Sequence, residues 1–222
     1  VFGHAGAKVL AFPTRDGRFY EYENIGFIQS IAHKIEAGYL QIFCVDNLAL
    51  ESFYCFSRPP AERIVRHIQY EEYILNEVLP FMHSINSQPH THVYGASLGA
   101  YHAVNIALRH PHLFQKLTAF SGRYDLTLSV ESFQNLLSGY YDENVYFHTP
   151  CHFLPNLHCD QQLQHLRAMD ITLTIGHHDP FLANNQSLSA TLWQKGIKNS
   201  LHIWQGRAHH ANAWRKMGTL YL

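Results

Sequence analysis

One pentapeptide has the residue types and spacing of a nucleophile. Gly95-Ala96-Ser97-Leu98-Gly99 lies between a strand-like His92-Val93-Tyr94 and a helix-like stretch from Leu98. The pattern G-x-S-x-G puts a serine on a strained strand-to-helix turn with its Oγ exposed. Small residues at Gly95 and Gly99 let strand and helix close on each other without a Cβ clash, and a turn that demands positive φ penalises bulk. The serine then sits near a helix N-terminus, where backbone N–H groups and the helix dipole favour a developing negative charge. The chemistry would be attack on a carbonyl. A Gly/Ser-rich turn with no chemistry has the same short pattern, so the reading depends on an acid and a base elsewhere.

Behind such an elbow, the acid and then the base follow the serine in chain order, each just past the end of a strand. Open parallel sheets gather ligand-binding groups at that edge. Past the strand-like Ile171–Ile175 lies Gly176-His177-His178-Asp179-Pro180, which makes Asp179 the candidate acid. Past Leu201–Trp204 lies Gln205-Gly206-Arg207-Ala208-His209-His210, offering two candidate bases. Asp125 also follows a strand-like run and competes as the acid; its plainer reading is a turn or helix-capping aspartate. Asp179 has a plain reading too, as N-cap of a helix starting near Phe181 with Pro180 at its first position, and the two roles are compatible. The oxyanion would be held by the Leu98 backbone N–H and one from the loop after Phe12. Arg15 is the first choice for the second donor and Thr14 the next, because Pro13 has no N–H.

These residues need a sheet to position them. Lys8–Phe12, Leu40–Val45, the run into Ser97, Lys116–Phe120, Ile171–Ile175 and Leu201–Trp204 read as buried strands. Helices are predicted over Asn24–Glu36 with Asn24 as N-cap, Ala61–Met82, Leu98 to about Arg109, Phe181–Lys195, and from Ala211 onward. Strands alternating with helices predict an α/β fold, doubly wound around a mostly parallel sheet with helices on both faces. Residues 1–222 read as one domain, with 121–169 as an aromatic-rich, cap-like excursion of loop and short helix. A connection that long is usually functional.

Composition narrows the classes. At 46% hydrophobic and 15% charged residues, the chain is a globular protein with a sizeable core. A formal charge of −1 gives no basis for a nucleic-acid or anionic-membrane partner, and no apolar run approaches a bilayer span. Cys44, Cys55, Cys151 and Cys159 are scattered without C-x-x-C spacing and read as free thiols, which favours a reducing, cytoplasmic compartment. The first residue is Val1 and not Met, so the natural start is expected upstream and a signal peptide there stays open. The 18 histidines include adjacent or near-adjacent pairs, among them His177/His178 and His209/His210. None has metal-ligand spacing such as H-E-x-x-H, so no metal and no cofactor is expected. The expected partner is a small-molecule ester, and self-association into a homo-oligomer is compatible with the composition.

Several stretches together resemble the esterase D-like branch of the α/β-hydrolase superfamily, the family called putative esterases. They are Val9–Thr14, Cys44-Val45-Asp46, Arg66–Glu71, Gly95–Ala103, Ala107–Pro111, Ser121–Asp125, and His209 with Trp214-Arg215-Lys216. The resemblance implies an α/β-hydrolase fold, Ser97 as nucleophile, Asp179 as acid and His209 as base. It favours His209 over His210 because the family's base lies five residues before a tryptophan, here Trp214. It implies one or two further strands ahead of Val1. The chain departs from the pattern at Ala211, where an aromatic is common, which bears on the pocket wall. A serine ester hydrolase is the leading expectation. The alternatives are a non-catalytic hydrolase-like binding or assembly protein and a histidine-based metallohydrolase.

Overall fold

The computed structural model describes residues Val1–Leu222. Six strands form one sheet: β1 (Ala7–Phe12), β2 (Leu40–Cys44), β3 (Thr91–Ala96), β4 (Lys116–Phe120), β5 (Asp170–Gly176) and β6 (Ser200–Trp204). Their order is β2-β1-β3-β4-β5-β6, and every neighbouring pair is parallel. An all-parallel sheet is covered on both faces, which is why the strands read as nearly unbroken apolar runs. Alternate residues of β1 divide between the two layers. Leu10 and Phe12 join the larger core, together with Tyr70, Val104 and Leu188 of helices on that side. Val9 and Ala11 join the second, with Phe27 and Met217. The result is a doubly wound α/β architecture. No helix is long and apolar enough to cross a membrane.

The chain between β1 and β2 differs from the expected single helix. It forms three short ones, α1 (Glu21–Asn24), α2 (Phe27–Ser30) and α3 (Ala32–Glu36). Gly26 takes φ 71°, a left-handed conformation that ends one helix and precedes the next, and Asn24 is the last residue of α1 and no N-cap. The predicted 61–82 helix is likewise divided. It runs as α4 (Pro60–Tyr73), a π-turn (Ile74–Val78) and α5 (Leu79–Ile85). Pro80 lacks the N–H that would bond the carbonyl four residues back, and the ladder shifts to the wider spacing just ahead of it.

Helix α6 (Leu98–Arg109) follows β3 with one residue between them, Ser97. Between β4 and β5 come α7 (Glu143–Phe147), α8 (Pro150–Phe153) and α9 (Asp160–Ala168), joined by irregular chain. Its first part packs back on α4 and α6: Leu126, Leu136 and Val145 meet Ile64 and Tyr101 in a third, small apolar cluster. Helices α10 (Leu182–Gln194) and α11 (Ala211–Tyr221) complete the chain on either side of β6.

Candidate active site

Ser97 occupies the corner between β3 and α6 with φ 56° and ψ −120°, a conformation side-chain-bearing residues rarely adopt. The corner holds because both flanking glycines are pressed against backbone. A Cβ at Gly95 would lie 2.1 Å from the Gly99 carbonyl oxygen, and one at Gly99 would lie 2.1 Å from the Phe12 carbonyl oxygen. Neither glycine has positive φ; close approach alone requires them. The Ser97 N–H donates to the Phe120 carbonyl at 2.8 Å, tying the corner to the end of β4. The Leu98 N–H, first in its helix, has no acceptor within the protein.

Asp179 and His209 meet at the same sheet edge. The turn after β5 is locked onto the turn after β6: His177 and His178 N–H groups donate to Trp204 and Gly206 carbonyls at 2.7 and 2.9 Å. At Gly176 a Cβ would fall 1.8 Å from the Arg207 carbonyl oxygen, so only glycine permits that contact. The Asp179 carboxylate is completely buried. One oxygen accepts the Phe181 N–H at 3.0 Å; the other lies 2.7 Å from His209 Nδ1. Asp179 is not the N-cap of the plain reading, since α10 starts at Leu182 with Phe181 as N-cap; its carboxylate holds the turn ahead of the helix while contacting the histidine. His209 Nε2 lies 3.0 Å from Ser97 Oγ. A carboxylate can only accept, so Nδ1 carries the proton and Nε2 presents its lone pair to the serine hydroxyl.

Behind the imidazole stands Trp214, its ring 5.6 Å from that of His209. Trp214 Nε1 donates to Ser121 Oγ at 3.2 Å, and Ser121 Oγ donates to the Ala208 carbonyl at 3.3 Å. The residue just before His209 is thereby tied to the end of β4 and to α11.

The loop after β1 is held rigidly. Thr14 spends its N–H and hydroxyl on the Glu21 carboxylate at 2.7 and 2.5 Å, and Asn47 donates to the Thr14 and Gly17 carbonyls. Thr14 is thus removed as an oxyanion donor. The Arg15 N–H has no acceptor within the protein, and Arg15, Leu98, Ser97 and His209 line one cavity of about 320 Å³.

The competing residues are engaged elsewhere. Asp125 accepts the N–H and hydroxyl of Thr127 at 2.8 and 2.7 Å and pairs with His152 Nε2 at 3.4 Å. His210 caps α11 through Nδ1, which accepts the Ala213 N–H. Of the aromatics in the 53–56 loop and the 121–169 excursion, Tyr54 and Phe133 line the cavity at Ser97, while Phe53 is core.

None of the adjacent histidine pairs forms a metal-binding group. A different set does come together: His67, Glu71 and His148, all buried, with ligand atoms within 4.8 Å of one another. His67 and Glu71 stand four apart on α4, a spacing that sequence reading passed over because it lacks a second histidine on that helix. The Glu71 oxygens already accept from Arg109 Nε and His110 Nε2 at 2.8 and 3.0 Å and from Asn105 Nδ2 at 2.8 Å. Burial would raise the Glu71 pKa, but the His110 hydrogen bond and the nearby Arg109, together with His148, outweigh it and pull it down to about 2. A cation entering there would have to displace a guanidinium. The set is a buried ion-pair network.

Sequence reading also missed two arginines of the cavity wall, Arg123 and Arg207. Both sit next to motif residues, but arginines after strands carry no periodic signal.

With this geometry in place, comparisons with known proteins bear on it. A protein-family model described as "Putative esterase" matches residues 56–217, well over half the chain. Among solved structures, a ferulic acid esterase superposes with TM-score 0.74 at 15% identity, covering 98% of this chain and 84% of that one. S-formylglutathione hydrolase from Staphylococcus aureus gives 0.70 at 17% identity, covering 99% and 81%. The enzyme of the same name from Agrobacterium tumefaciens gives 0.70 at 15%, covering 98% and 82%. At these identities the structures establish the α/β-hydrolase fold. No curated protein sequence gives a significant match.

Proposed function

The chain belongs to the "Putative esterase" family of ester hydrolases, and on that premise we propose that it cleaves esters through a serine-bound acyl intermediate. One observation carries the reading: the continuous contact from Ser97 Oγ to His209 Nε2 at 3.0 Å and from His209 Nδ1 to the buried Asp179 carboxylate at 2.7 Å. His209 takes the serine proton as Oγ attacks the ester carbonyl. Asp179 holds the imidazole in the tautomer that can accept, and stabilises the imidazolium once formed. Negative charge develops on the carbonyl oxygen, and the Leu98 and Arg15 N–H groups are unspent donors on the same cavity wall. His209 then protonates the departing alcohol. Water, deprotonated by the same imidazole, releases the acid and regenerates Ser97.

Ser97→Ala tests this directly. It should abolish 4-nitrophenyl acetate turnover and labelling by a fluorophosphonate probe, while the melting temperature stays near that of the parent protein. Unchanged turnover would overturn the reading. Activity lost to a chelator and restored by added metal would favour a metallohydrolase instead.

A further inference from the structure

The cavity at Ser97 holds positive charge that the reaction does not use. Three arginines line it, Arg15, Arg123 and Arg207, with Asp16 as the carboxylate among the lining residues. Arg15 is neutralised by Asp16 at 2.9 Å. Neither Arg123 nor Arg207 has a carboxylate oxygen within the 4.0 Å of an ion pair.

Arg123 is the more telling of the two. Its side chain is buried, with 8% exposure for the residue. Nε donates to the Asp125 carbonyl at 2.9 Å, and Nη2 to the carbonyls of Leu126, Leu128 and Gln134. Carbonyl dipoles hold the guanidinium in place without cancelling its charge. The nearest acid in the sequence, Asp125, turns its carboxylate to Thr127 and His152 instead. Nη1 makes no hydrogen bond within the protein, yet it is not among the buried polar atoms left unpartnered, so it remains open to the cavity. The face of Phe181 packs 5.5 Å from the guanidinium carbon. Desolvation works against the cation, pushing its pKa below the ordinary value, but a guanidinium stays charged at neutral pH. Asp125 acts on the guanidinium only through space, beyond ion-pair distance, and Asp179 is engaged by His209.

A buried cation with one free N–H edge, set in a wall that includes Leu126, Leu136 and Phe133, costs stability unless something pairs with it. The planar fork of arginine matches a carboxylate, and a low-dielectric surround strengthens that pairing. A neutral alkyl ester would leave the open Nη1 edge of Arg123 facing apolar chain. Resting on the serine-hydrolase reading, we propose that the ester cleaved at Ser97 carries a free carboxylate, bound by Arg123 Nη1 with Arg207 at the rim. The cavity of about 320 Å³ is at the small end for ligand sites, so the carboxylate must sit a short chain away from the scissile carbonyl.

The test compares matched anionic and neutral esters on both sides of the scissile bond. On the acyl side, 4-nitrophenyl hydrogen glutarate is set against 4-nitrophenyl valerate. On the alcohol side, 4-(butanoyloxy)benzoate is set against its methyl ester. The anionic member of at least one pair should be preferred in kcat/KM by about 10- to 100-fold at low salt, the worth of one charge-assisted hydrogen bond. That ratio should shrink as ionic strength rises and fall further in Arg207→Gln, an exposed position whose replacement spares the fold. Arg123→Met should lower it most. Because Arg123 also ties down the 125–134 segment, the salt titration and Arg207→Gln decide the matter if that variant does not fold. Equal or better turnover of the neutral ester in both pairs would overturn the inference and leave the serine reading standing. Absence of turnover of every ester, together with no fluorophosphonate labelling, would overturn both.

Discussion

Gly99 and Phe12 stand so close that a Cβ on the glycine would lie 2.1 Å from the Phe12 carbonyl oxygen. Residues 87 apart in sequence thus bring the Ser97 corner and the loop carrying Arg15 into backbone contact. Tyr22 reinforces the junction: its hydroxyl donates to the Phe12 carbonyl at 2.6 Å and accepts the Ala96 N–H at 3.1 Å. The oxyanion donors proposed here come from two segments whose spacing is set by a missing side chain.

Gly99→Ala should therefore separate the two segments. We expect 4-nitrophenyl acetate turnover to fall at least 100-fold and stability to drop by about 2 kcal/mol or more, as for an overpacked core site. Gly139→Ala is the comparison: Gly139 has φ 84° but nothing within 4 Å, so it should cost only about 1 kcal/mol and leave turnover unchanged. Thermal melts and initial rates on both variants check this.

The acid and base assignments predict unequal losses. Asp179→Asn removes the acceptor that fixes the His209 tautomer and should lower kcat by about 10³- to 10⁴-fold. Asp125→Asn should leave kcat within threefold, since that carboxylate serves Thr127 and His152. His210→Ala should cost about 1 kcal/mol as a lost helix cap and little rate. A larger kcat loss at Asp125 or His210 would reverse the assignment.

On the serine-hydrolase reading, Trp214 serves to position the imidazole of His209. Trp214→Phe keeps an aromatic ring beside His209 but removes the Nε1 donor to Ser121 and so loosens the tie to the Ala208 carbonyl. The expected result is a kcat reduced about tenfold with KM nearly constant, and a stability loss near 1 kcal/mol. A change confined to KM would contradict a role in holding the imidazole.

Acid should destabilise the fold starting below pH 6.5, before the carboxylates titrate. Burial holds His102 at about 3 and His92 at about 4, and pushes His67 well below its ordinary 6.5. Between those values and 6.5 the unfolded chain binds more protons than the folded one, so stability is full above pH 6.5 and is lost as pH falls. Glu71 adds the same sign lower down, between its ordinary 4.5 and about 2. Each group contributes at most about 1.4 kcal/mol per pH unit. His102→Gln should flatten the slope of urea-unfolding free energy between pH 6.5 and 4; an unchanged slope would exclude His102 as a contributor.

Much of the framework was legible in the sequence, because strands and elbows are written in local pattern. The six apolar runs became the six strands within a residue at each end, and α6 covers Leu98–Arg109 as expected. The serine corner was readable because a strand-turn-helix with crowded backbone admits few residue types. Where local signals competed, the reading failed: Gly26 sat inside an apparent helical stripe and its left-handed conformation broke it, with a second break at Ile31 giving three short helices. Strand ends narrowed the acid and base to a few residues; Asp179 was preferred to Asp125, and only the family resemblance, through Trp214, favoured His209 over His210.

What the tertiary structure alone decided is which side chains meet. Ser97 and His209 are 112 residues apart, and their contact exists only because β3 and β6 end at one edge of a parallel sheet in fixed register. Thr14 stood as the second choice after Arg15 until Glu21 took its N–H and hydroxyl. Arg123 looked like one more residue of a family stretch until the chain around it left its guanidinium on the serine cavity with no carboxylate in ion-pair contact. Local pattern follows from backbone geometry and apolar periodicity over a few residues. The site follows from register and loop packing between distant segments, and no short stretch of sequence encodes those.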